Sequence, residues 1–241
     1  SVAIRGNHMI KKYAEDAYAA IGNEKNVGVG VSSRYMLRSG WVLVGDVGYS
    51  TTDLGDAASL TRSADILFAG AAVEKVFGLW SARVRAGVDR SDFEASGFVD
   101  GIGSFSLTGT ETKPAGDIEV SYTTESGMTR VGLVAGYHTL RSDISPFAVQ
   151  QRTSLHLTAD HSFSESVRLG MIGIYGRGEY SSPSIGGGSD AVAAIGTTLT
   201  YVWNRNLSLQ ATYRFEDWNA DENIRESYRR NVGELALKAQ F

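Results

Sequence analysis

The chain of 241 residues contains no cysteine, which excludes disulfide frameworks and thiolate metal sites. It has only 3 prolines, and long stretches therefore run without a helix- or sheet-breaking residue. No apolar run approaches the 18 residues of a membrane-spanning helix. Net charge is only −4, which argues against a broad nucleic-acid footprint. Mean hydropathy is −0.14, a value shared by soluble proteins and by barrels whose apolar band is hidden in alternate residues. Glycine (28) and tyrosine (11) are the abundant residues.

What is present is alternation. Leu207, Leu209, Ala211, Tyr213 and Phe215 fall on one face, and Ser208, Gln210, Thr212, Arg214 and Glu216 on the other. A two-residue period marks a strand with one apolar and one polar face. The same pattern recurs in ten further segments, from Val27–Tyr35 to Arg230–Phe241. Each runs to roughly ten residues, enough to cross a bilayer when tilted. Ser1–Arg5 supplies a short twelfth strand, with Val2 and Ile4 on one face. The expected fold is therefore all-β: a transmembrane antiparallel up-and-down β-barrel of about 12 strands. Residues 26–241 would form the barrel. Residues 1–25 would be an N-terminal segment in which Met9–Ile21 is helix-like and lies in an outer loop or the lumen.

Connections alternate in length. Short ones fall near Leu37–Gly40, Phe77–Gly78, Glu125–Met128, Ser164–Ser166 and Asn204–Asn206. Long ones are expected at Thr51–Arg62, Arg90–Ala115, Arg141–Gln150, Ser181–Ser189 and Asn219–Arg229, and these would hold Pro114, Pro146, Pro183 and the Gly186–Gly188 run. Short turns on one side and long loops on the other suit an outer-membrane barrel. A soluble sandwich with an apolar core would share the alternation. The charge on the polar faces and the aromatics Trp41, Trp80, Tyr201, Trp203, Tyr213 and Phe215 near strand ends favour membrane interfaces instead.

With the apolar face in lipid, the polar face would line a lumen. Arg83, Arg85, Asp117, Glu119, Arg130, His156, Arg168, Arg214 and Glu216 are the expected solute-contacting residues. Mixed charge in a pore orients and selects solutes, and the arginines favour anionic or hydroxyl-rich ones. The competing view is an internal salt-bridge network that fills a closed barrel.

No chemistry beyond this emerges. His161 and Ser162 are adjacent and point oppositely, and no His-x-Ser pair occurs on one strand face. His8, His138, His156 and His161 lack metal-ligand spacing, and no nucleotide-binding motif is present. No enzymatic activity, metal or cofactor is expected.

The closing strand places Leu235, Leu237, Ala239 and Phe241 on one face. It resembles the C-terminal signal by which bacterial outer-membrane barrels are read by their insertion machinery. The last 50 residues or so also resemble β-barrel porins associated with exopolysaccharide systems. The match runs through Trp203-Asn204-Arg205-Asn206, Leu207 to Arg214, a charged loop, Tyr228-Arg229-Arg230-Asn231 and the terminal Phe241. The resemblance implies a bacterial outer-membrane channel with the bilayer and the insertion machinery as partners. It also implies a role in polysaccharide export, with periplasmic export partners. An autotransporter translocation domain and a plugged structural or adhesive barrel acting through its outer loops are the alternatives.

Overall fold

Twelve strands account for nearly all of the computed structural model, which describes every residue outside 12–22, 38, 56–59, 100–102, 143–146, 183–185, 223–225 and 240–241. They are β1 (Val2–Lys11), β2 (Asn23–Met36), β3 (Trp41–Gly55), β4 (Leu60–Phe77), β5 (Trp80–Val99) and β6 (Gly103–Thr123). The second half adds β7 (Thr129–Arg141), β8 (Val149–Ser162), β9 (Val167–Ser182), β10 (Gly186–Asn204), β11 (Leu207–Ala220) and β12 (Tyr228–Ala239). They form one sheet in simple sequence order, each strand antiparallel to the next. β1 and β12 are its two ends, and no ladder joins them among the described residues.

The alternation explains which face each residue takes. Ile195, Leu199, Tyr201, Leu235 and Leu237 are exposed on the convex face. A large exposed apolar surface of this kind belongs in lipid rather than water. Turns at one end are tight. Phe77 pairs with Trp80 around Gly78–Leu79, and Gly78 takes φ 61°. A positive φ at the first turn residue is what a two-residue hairpin of the II′ kind requires.

Strand lengths depart from expectation. β5 has 20 residues and β6 has 21, about twice what a bilayer needs. The expected long loops are mostly continued strand: Arg90–Val99 and Gly103–Ala115 pair as a hairpin extension, and the Gly186–Gly188 run opens β10. Such extensions are rich in Ser, Thr and Gly because their outer face no longer meets lipid, and that composition reads as loop. Met9, Ile10 and Lys11, expected in a helix, pair with Asn26, Lys25 and Glu24 in β1. The rest of that helix-like stretch lies outside the described residues.

Pro114 is a further correction. It sits within β6, opposite Val88 of β5, and not in a connection. The β6–β7 ladder runs only from Gly116↔Tyr137 to Thr123↔Arg130. Beyond it β6 has lost its β7 partner, and proline is tolerated on such an edge. Pro146 and Pro183 lie outside the described residues.

A tight crossing bends the wall where β4, β5 and β6 meet. Gly70 and Gly87 are register partners. A Cβ on Gly70 would sit 2.7 Å from the Ala86 carbonyl and 2.6 Å from the Phe68 ring. The Phe68 ring covers both glycines, the arrangement in which an aromatic shields a bare stretch of strand.

Candidate functional site

The concave face carries the charges that the alternation directs inward. Near the short-turn end, Glu74 of β4 accepts from Arg34 of β2, and its other oxygen lies 3.5 Å from Arg83 Nε. Arg83 Nη2 donates to Asp46 Oδ2 at 3.1 Å. One strand step higher, Arg85 donates to Asp117, and its guanidinium carbon lies 4.6 Å from the Phe68 ring centroid. His138 of β7 stands between two carboxylates: Nε2 is 3.5 Å from Asp117 and Nδ1 is 3.5 Å from Asp89. Asp89 is only 3% exposed and accepts the Thr139 N–H at 2.7 Å.

These pairs climb one side of the concave wall. Half-buried pairs of this sort gain from reduced screening, but breaking one leaves a partner poorly solvated. They therefore hold the wall in register and fix where each charge sits.

A cavity of about 1120 Å³ opens beside this ladder. Arg85, Asp89, His138, Gln150, Arg152 and Trp218 are among the residues that line it. Residues of β1 and β11, at opposite ends of the strand order, share its lining, so the sheet curls around it. A second cavity, about 630 Å³, lies toward the short-turn end of β7–β10 and touches Arg130, Asp160, Arg168 and Thr198.

The expected site residues separate into groups. Arg83, Arg85 and Asp117 belong to the ion-pair ladder. Glu119 is the register partner of Arg83 but is exposed, because Arg83 turns toward Asp46 and Glu74. Arg130 and Arg168 meet at the lower cavity. His156 is exposed, on the same face of β8 as Arg152 and Thr158. Arg214 and Glu216 lie apart from the ladder: Glu216 is buried between Arg214 Nε at 2.7 Å and Arg230 Nη2 at 2.6 Å. Above them the Trp218 indole stacks on Tyr228, centroids 5.7 Å apart and planes 17° apart.

Glu74 and Arg34 escaped the sequence reading. Ile66 to Val73 is almost wholly apolar or small, so the parity of β4 was hidden, and Glu74 shares the concave parity of Phe68. The inward role of Phe147 and Tyr180 was also missed, because both lie at the edges of apparent loops.

On the convex face Trp41, Trp80, Tyr201, Trp203 and Tyr213 are exposed, and Phe215 is half-buried. Trp80 packs on Tyr122 at 4.8 Å and Tyr201 on Trp203 at 5.3 Å. Lys75 Nζ lies 4.5 Å from the Trp41 ring. Leu235, Leu237 and Ala239 pair with Ala211, Leu209 and Leu207. Phe241 lies outside the described residues. Among the described residues no group of three His, Asp or Glu side chains is placed to hold a metal ion.

Comparison with known proteins agrees with this architecture. The family model described as Putative beta-barrel porin 2 matches residues 123–241. No curated protein sequence matches the chain. Among solved structures it resembles the copper transporter OprC, with TM-score 0.55, 10% identity and 84% of this chain covered. It also resembles the siderophore receptor PiuA from Acinetobacter baumannii, with TM-score 0.54, 7% identity and 81% covered. The chain spans only 40% and 38% of those two chains, so the likeness is one of fold. OmpT, an outer membrane protein of Vibrio cholerae, aligns over 99% of this chain and 95% of its own, with 12% identity and TM-score 0.47. The chain has the fold of the bacterial outer-membrane β-barrels, and its residues 123–241 are similar to a β-barrel porin family.

Proposed function

We propose that this outer-membrane barrel is a channel for hydrophilic solutes. The observation that carries the reading is the cavity of about 1120 Å³ on the concave face, in which Arg85, Asp89, His138 and Arg152 are set among Ile66, Phe68 and Trp218. Arg83, Arg85, Asp117, Glu119, Arg130, His156, Arg168, Arg214 and Glu216 are the residues a passing solute meets. Fixed charge of both signs along such a path orients dipolar and anionic solutes. In this reading Trp41, Trp80, Tyr201, Trp203, Tyr213 and Phe215 anchor the barrel at the two interfaces. The C-terminal sequence with Leu235, Leu237, Ala239 and Phe241 is the signal for the insertion machinery. A role in polysaccharide export, with periplasmic partners, is the finer form of the proposal. Its support is the resemblance of the last 50 residues or so to exopolysaccharide-associated porins. No catalytic role is assigned.

A second reading has one observation behind it. Ala64, Ser91, Ala95 and Gln150 are buried on the concave face toward the long-strand end. A barrel filled there could be closed and act through its outer ends. Liposome swelling with neutral sugars of graded size separates the two. Swelling that depends on the reconstituted protein supports the channel, and correctly inserted protein without swelling supports the closed barrel.

A further inference from the structure

We propose that Phe147 and Tyr180 form the constriction that sets the largest solute this barrel can pass. The inference rests on the channel reading above and adds the residues that decide size.

The concave face is not uniform along its height. Toward the short turns Glu119, Arg130 and Thr158 are exposed, as expected beside an open lumen. Toward the long-strand end the same face is closed: Ser91 and Ala95 are each 1% exposed, and Gln150 and Val192 are also buried. A filled interior at that level requires something to lie across it. Phe147, 5% exposed, fills it. Its ring lies 5.5 Å from that of Tyr180 in β9, which is 2% exposed. Its carbonyl accepts from Arg62 Nη1 in β4 at 3.1 Å. β4 and β9 lie five places apart in the sheet, so one residue ties two well-separated parts of the wall together.

The chain reaches this position because β7 leaves the wall. Its ladder with β6 ends at Tyr137, two residues from the level of Pro114 on β6. Asp89, on the strand beyond β6, then captures the Thr139 N–H. The inward end of β7–β8 is bonded to itself as well. Ser142 N–H donates to the Ala148 carbonyl at 2.9 Å, Gln150 Nε2 to the Arg141 carbonyl at 3.0 Å, and Thr139 Oγ1 to Gln151 Oε1 at 2.9 Å. Below lies the cavity into which Arg85, Asp89 and His138 project. A solute thus leaves a charged vestibule through an aromatic gap. An apolar narrowing limits passage by size and by the cost of stripping water. Small hydrated ions and polar molecules fit this path, and a polymer passes only if the pair is displaced.

Single-channel conductance in planar bilayers tests the inference on two variants. Phe147→Ala should raise conductance at least about twofold, because an aromatic ring is removed at the narrowest point. Phe147→Cys provides a second measurement, since the chain has no other cysteine. Coupling a bulky thiol reagent through a disulfide should lower its conductance, and reduction should restore it. Wild type and Phe147→Ala conducting equally, with no effect of the reagent, would overturn the constriction and leave the channel intact. Inserted barrels that never conduct in any form would overturn the channel reading and the constriction together.

Discussion

The Asp89 carboxylate accepts the backbone N–H of Thr139 at 2.7 Å, where β7 has lost its ladder to β6. A side chain thus replaces a strand as the partner of a buried donor. Removing the acceptor should cost about 1–3 kcal/mol, the penalty for an orphaned buried donor. Asp89→Ala is expected to lower the urea midpoint of the folded barrel and speed proteolysis between β7 and β8. Asp89→Asn keeps an acceptor and should lose less; equal losses would mean that the Thr139 bond is immaterial.

The β4–β5 crossing depends on bare backbone. A Cβ at Gly87 would overlap the Ala69 carbonyl and sit 2.9 Å from the Phe68 ring. Gly87→Val should abolish the heat-modifiable folded band on gels. Gly45 of β3 meets nothing within 4 Å, so Gly45→Ala should fold normally and gain up to about 1 kcal/mol from reduced chain entropy.

Facing can be tested on neighbouring residues. Leu157 of β8 is exposed on the convex face, and Thr158 lines the lower cavity. Leu157→Arg should destabilise the inserted barrel by about 2–4 kcal/mol, the cost of arginine near the bilayer midplane. Thr158→Arg should insert normally. Similar outcomes for both would invert the assignment of faces.

Asp92 lies twelve residues past Trp80, about 40 Å along β5 and outside the bilayer. The Thr110 hydroxyl, with help from Arg90, holds its carboxyl below the ordinary Asp value of 3.8. Because the folded value is the lower one, the contribution to hairpin stability is present above 3.8 and is lost as pH falls through the folded value. Amide protection factors in the β5–β6 extension, taken relative to the intrinsic exchange rate at each pH, should therefore fall at acid pH. Thr110→Val should weaken that acid dependence.

The membrane-crossing part of the fold was legible because one face of each strand must be apolar there. Leu207 to Phe215 and Val131 to Tyr137 alternate cleanly and were read correctly. Beyond the bilayer that constraint lapses. Arg90–Val99 and Gly103–Ala115 place small residues such as Ser91, Ala95, Gly97 and Gly109 where a continuous apolar face would show, so a 20-residue strand looks like a short strand and a loop. Pro114 reinforced that impression, although an edge accommodates it. Arg83, Arg85 and Asp117 follow from parity, whereas the pairing of Arg83 with Glu74 and of Asp89 with His138 depends on strand neighbours that parity does not encode. Phe147 follows Pro146 in an apparent loop, and only its contacts with Arg62 and Tyr180 reveal its place.

The most direct measurement is ion current through the refolded, unmodified chain in a planar bilayer, with salts of unequal ion size on the two sides. The account predicts reproducible ohmic steps and a reversal potential that shifts when Arg85 is replaced by Ala, because that guanidinium borders the main cavity. A barrel shown to be folded and inserted, yet carrying no current at any applied voltage, would contradict it.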